Sequence, residues 1–179
     1  RAATPEVDAL FALVMGFLLV GVTVQARRAG IPPVAVATRR FAALLPFAIA
    51  LVLPQEASGT AALAAAGSAL LYATLGWVER SRLFGSLGAA AANLALLLFA
   101  LSSGWSGPEV GAVPLGLLVL ALGQIFAATL PHSARVTVRV VGSLLVYLPA
   151  ALQVAFQVGN ARDGAYPVLF GLACLAGVA

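Results

Sequence analysis

Residues 83–103 read Leu83-Phe84-Gly85-Ser86-Leu87-Gly88-Ala89-Ala90-Ala91-Ala92-Asn93-Leu94-Ala95-Leu96-Leu97-Leu98-Phe99-Ala100-Leu101-Ser102-Ser103, and this stretch decides the fold. It carries no charge over its 21 residues, and a bilayer core of about 30 Å takes roughly 20 helical residues to cross. Residues 94–101 are apolar on every side. A barrel strand would alternate apolar and polar side chains over about ten residues, so a barrel is excluded. A helix is forced, because lipid offers no partner to a free backbone N–H or C=O.

The rest of the chain agrees with that stretch. Of 179 residues, 62% are hydrophobic and 9% charged, and the mean hydropathy is +1.05. Soluble domains carry about 25% charged residues, so a soluble globular domain is excluded. Glycine has no triplet period, which removes a collagen-like chain, and Cys174 is the single cysteine, which removes a disulfide scaffold. What is left is an all-α, polytopic transmembrane bundle. Apolar runs predict seven helices, at about 7–26, 41–54, 57–78, 83–103, 110–130, 138–157 and 164–179, in one domain covering 1–179. The second is short. Extending it backward carries Arg39 and Arg40 into the bilayer, at roughly 2.5–3.5 kcal/mol each if they reached the centre. Ile31-Pro32-Pro33-Val34 is therefore read as lying along the interface, since consecutive prolines do not fit a helix interior. The chain opens on Arg1 and stops inside an apolar run at Ala179. It reads as an internal piece of a longer protein, with missing helices or other membrane subunits as its partners.

The ten basic residues are all arginine, and seven helices sort them sharply. One side receives Arg27, Arg28, Arg39, Arg40, Arg80, Arg82, Arg135 and Arg139, and the other only Arg1 and Arg162. This is the positive-inside bias that orients bacterial inner-membrane proteins. It predicts that the connections 27–40, 79–82 and 131–139 are cytoplasmic and that the first helix starts outside. Acidic residues go the other way: Glu6, Asp8, Glu56, Glu109 and Asp163 fall outside, and Glu79 alone inside. With the arginines scattered over short loops, the pI of about 10.2 predicts contact with anionic lipids and no nucleic-acid partner. Trp77, Trp105 and Tyr166 fall at helix ends, as an interfacial aromatic belt requires. Tyr72 and Tyr147 fall deeper and need hydrogen-bond partners within the bundle.

Two patterns bear on assembly. Pro5-Glu6-Val7 reappears as Pro108-Glu109-Val110; it reads either as a favoured way to start an outer helix, with acid beside the positive macrodipole end, or as the trace of a duplicated hairpin. Ala62, Ala66, Ala69 and Ala73 form one small-residue stripe, and Ser81, Gly85, Gly88, Ala92 and Ala95 another. Such stripes let two backbones approach, which drives association in lipid. The third and fourth helices are predicted to pair through them.

The sequence offers little chemistry. Ionisable residues near mid-bilayer mark ion and proton pathways, and all the charged residues here fall within about a turn of a predicted interface. The interior polar groups are amides: Asn93 at the centre of the fourth helix, Gln124 in the fifth, and Gln153 and Gln157 in the sixth. Asn93, Gln124 and Gln153 are the candidate polar residues of a substrate path, the competing reading being interhelical hydrogen bonding. His132, the lone histidine, has no ligand partner at metal spacing and reads as a loop residue. Gly104-Trp105-Ser106-Gly107 is an outer turn and not a strand-to-helix nucleophile elbow. No catalytic residue, metal ligand or cofactor is predicted.

The stretch Gly107-Pro108-Glu109-Val110-Gly111-Ala112-Val113-Pro114-Leu115-Gly116-Leu117-Leu118 resembles a helix start found in large uncharacterised bacterial multi-pass inner-membrane proteins, where an acid is followed by a Pro-Leu pair and a leucine-rich run. The resemblance implies a bacterial inner-membrane location and no particular activity. The expected function is a membrane-embedded structural or scaffold domain, non-enzymatic by default. The alternative is a transporter or permease for an apolar or lipid-like substrate.

Overall fold

The computed structural model describes residues 5–52 and 58–156. Among them are six helices and no strand: α1 (Pro5–Arg28), α2 (Pro32–Val52), α3 (Gly59–Glu79), α4 (Arg82–Ser102), α5 (Pro108–Ile125) and α6 (His132–Phe156). Four spans are long and apolar enough to cross a membrane, namely Val7–Arg28, Pro32–Ala50, Gly59–Glu79 and Arg82–Ser102, and Glu109–Ile125 is a shorter apolar helix. The predicted seventh helix, at 164–179, lies outside the described residues.

Short connections fold consecutive helices into three hairpins, α1 with α2, α3 with α4, and α5 with α6. Three of the connections close in the same way. Ile31 N–H reaches Ala26 O at 2.9 Å, Ser81 N–H reaches Gly76 O at 3.0 Å, and Trp105 N–H reaches Ala100 O at 3.0 Å. Each closure follows a residue in the left-handed region, Gly30 (φ 70), Arg80 (φ 49) and Gly104 (φ 72). This bond, six residues back to one, satisfies carbonyls that a helix end leaves orphaned.

The second helix starts earlier than predicted, at Pro32 and not at residue 41, and so contains Arg39 and Arg40. The two prolines occupy its first turn, where a missing N–H removes no helical bond. Arg39 reaches Glu79 at 3.2 Å, so its charge is met by a partner. The fifth helix ends at Ile125 and the sixth starts at His132, against predicted bounds of 130 and 138. Phe126 caps α5 through Leu122 O, turns follow, and Pro131 ends them by fixing a backbone suited to a helix start. His132 and Arg135 thus belong to the first turn of α6 and not to a loop.

The buried centre is small and lies between α1, α2 and α3, where Val20, Ala42, Leu71, Tyr72 and Leu75 pack together. The α3–α4 hairpin packs backbone to backbone. A Cβ added at Gly88 would stand 3.1 Å from Ala73 N and 3.3 Å from Ala69 O, and one at Gly76 would stand 3.0 Å from Gly85 N. These are members of the predicted stripes. The outside of the bundle is apolar instead: Phe11, Leu63, Leu70 and Leu83 are 66%, 73%, 64% and 64% exposed.

Candidate functional site

Polar side chains between the helices mark the places where function or assembly could reside. At the end where α1 and α3 finish, the Glu79 carboxylate accepts from Nη2 of Arg27 at 2.5 and 2.6 Å and from Nη1 of Arg39 at 3.2 Å. One acid, the last residue of α3, ties three helices. The carboxylate side chain is 7% exposed while Arg27 and Arg39 are 43% and 34% exposed. One turn further in, the Thr23 and Thr38 hydroxyls meet at 2.8 Å, and each also faces the carbonyl one turn back, Leu19 O and Val34 O. With one proton per hydroxyl, one threonine donates to its own helix and the other donates across. Sequence reasoning missed the Glu79 cluster, yet a signal was present: a lone acid on the side that holds eight arginines is bound to find a basic neighbour.

The deeper groups are also spent between helices. Tyr72 Oη donates to Ala43 O at 3.0 Å, in the turn before Pro46, whose ring disrupts the helical ladder. Its ring stacks on Phe84 at 6.4 Å. Asn93 Nδ2 donates to the main-chain carbonyl of Pro114, the buried proline inside α5. Neighbouring helices are a known source of partners for proline-broken turns in membranes. Both bonds join different helices.

The three predicted polar candidates do not converge. Asn93 is half-buried at the α4–α5 contact. Gln124 is exposed in the last turn of α5 and lines a narrow cleft beside Arg135 and Arg139. Gln153 belongs to α6, and Gln157 lies outside the described residues. Glu109 differs from every other acid: it is 8% exposed in the first turn of α5, and its Oε2 has no hydrogen-bond partner among the described residues. Its carboxylate folds back over Gly107. No group of three metal-ligating side chains occurs among the described residues.

One sizeable crevice, of about 510 Å³, opens between α2, α3 and α4. Alanines 61, 64, 65, 90 and 91 supply most of its width, Phe47 and Leu94 flank it, and Ser68 and Tyr72 are its polar members. Ser68 Oγ already donates to Ala64 O at 2.9 Å, and the Tyr72 hydroxyl is committed to Ala43. Small residues carve the space without giving it a free polar group to orient a ligand. No protein-family model, curated protein or solved structure matches the chain.

Proposed function

We propose that this chain is a membrane-embedded helical domain of a bacterial inner-membrane protein with a structural or scaffold role, its arginine-rich end in the cytoplasm. One observation carries the reading. The interior polar side chains of Thr23, Thr38, Tyr72 and Asn93 bond to neighbouring helices, so they hold the bundle together and do not line a path. The arginine asymmetry supports the orientation, because basic loops are retained on the cytoplasmic side. The helix start at 107–118 supports the bacterial assignment by resemblance.

The crevice between α2, α3 and α4 favours a second reading, a transporter or permease for an apolar or lipid-like substrate. Aqueous accessibility separates the two. Asn93→Cys and Gln124→Cys are each made in a Cys174→Ala background and treated with a small water-soluble thiol reagent in membranes. Under the scaffold reading Gln124→Cys, at a helix end, labels and Asn93→Cys does not. Labelling at Asn93 would reject the scaffold and favour a water-accessible path through the α4–α5 contact.

A further inference from the structure

The end of the α1–α2 hairpin carries more positive charge than its ion pairs use. Arg27, Arg28, Arg39 and Arg40 stand against the single carboxylate of Glu79, a formal excess of three. Glu79 engages one terminal nitrogen on Arg27 and one on Arg39. A guanidinium presents five N–H donors in a planar fork, so both side chains keep donors for a second acceptor. They are also held in place by the first. Between them lies a cavity of about 190 Å³ walled by the Gly30 turn, Ile31 and Ala35. Forked guanidiniums suit a phosphate, which they can grip through paired hydrogen bonds.

Ile31 is also a wall of a second, shallower groove of about 550 Å³ that runs up α1 past Ala26, Val22, Gly21, Leu18 and Phe17. From residue 17 to residue 29 a helix rises about 18 Å, close to the roughly 15 Å depth of one leaflet. A basic cavity and an apolar groove therefore meet at one residue. A soluble anion would use the cavity and leave the groove empty. A zwitterionic lipid would fill the groove but bring its own cation to a site with excess positive charge. An anionic phospholipid complements both.

We infer that this end of the hairpin holds one anionic phospholipid, its phosphate between Arg27 and Arg39 and one acyl chain along the α1 groove. The inference rests on the membrane reading above. Its test uses the full chain, first as membranes washed with alkaline carbonate and then purified in detergent, titrated with phosphatidylglycerol or phosphatidylcholine and followed by native mass spectrometry. The expected result is one phosphatidylglycerol retained per chain at about tenfold lower lipid than phosphatidylcholine, the ratio for one charge-assisted contact. Arg39→Gln leaves Arg27 on Glu79 and is expected to erase that preference. A side chain added at Gly21 meets nothing within 4 Å, so Gly21→Leu fills the groove without disturbing the fold and is expected to weaken retention about tenfold. Inorganic phosphate is expected to leave the lipid bound. Equal retention of the two lipids, indifference to Gly21→Leu, or displacement by phosphate alone would each overturn the lipid site. Release of the chain by carbonate would instead reject the membrane reading itself.

Discussion

Glu79 is closed off from solvent by two guanidiniums that are themselves partly open. Its worth therefore falls between an exposed pair, at about 0–1 kcal/mol, and a buried pair broken from one side, at about 3–5 kcal/mol. Glu79→Gln keeps the shape, removes the charge and leaves Arg27 and Arg39 facing each other. It is expected to lower stability by about 1–2 kcal/mol in thermal unfolding in detergent, while Arg28→Gln, which breaks none of the described ion pairs, leaves the transition unchanged. The neighbouring residue points the opposite way. Arg80 adopts the left-handed conformation that glycine supplies in the two sister closures at Gly30 and Gly104, and a non-glycine residue there is disfavoured by roughly 1–2 kcal/mol. Arg80→Gly is expected to raise the unfolding midpoint, by an amount equivalent to about 1 kcal/mol. A fall in the midpoint would mean that the Arg80 side chain holds the turn through a contact outweighing its backbone conformation.

At the scale of the helices, close approach sets which pairs form. Gly88→Leu would drive a branched side chain into the backbone of α3 at Ala69 and Ala73, separating the α3–α4 hairpin. Gly116→Leu would do the same to α5 and α6, because even a Cβ there stands 2.8 Å from Gly142 O and 3.0 Å from Leu145 Cβ. Both are expected to reduce the yield of monodisperse protein in detergent severely, whereas Gly111→Ala, with nothing within 4 Å, should leave it intact. The first pairing was legible in the sequence, because small residues recur at helical spacing on two consecutive helices. The second was not: Gly116 and Gly142 are isolated among leucines and valines, and only the fold brings them opposite each other. Helix limits were legible where a loop carries charge beside a turn residue, as at Arg80 and Ser81. They were misread at Pro32 and His132, where an apparent breaker in fact starts a helix. Glu79 could not be assigned its role from spacing, since its partners lie 52 and 40 residues away. Gln124 looked interior only because the fifth helix was drawn too long.

For the whole molecule, the decisive matter is whether α5 runs through the bilayer beside α4 or lies across its surface. Its 18 residues rise about 27 Å, close to the roughly 30 Å of a hydrocarbon core, so length alone leaves little margin. Position is more informative. Asn93 lies near the middle of α4 and bonds the carbonyl of Pro114, near the middle of α5, so the two helices meet at comparable depth along both lengths. The Gly116 contact with Gly142 then sets α6 against α5. A helix held at mid-height between two others cannot also lie flat at one interface. Gly107 and Ser133 therefore belong to opposite faces of the bundle, and the arginines of α6 place Ser133 on the side of Arg27, Arg39 and Arg80. Reporter fusions ending at the two residues are expected to disagree, with alkaline phosphatase active at Gly107 and a cytoplasmic fluorescent reporter active at Ser133. Agreement between them would remove α5 as a crossing and with it the sorting of eight arginines to one side. Asn93→Ala tests the link independently: it removes a bond of about 0.6–1.7 kcal/mol without altering loop charge. It is expected to lower the unfolding midpoint while leaving both reporters as they were, because orientation follows the arginines and depth follows the bond.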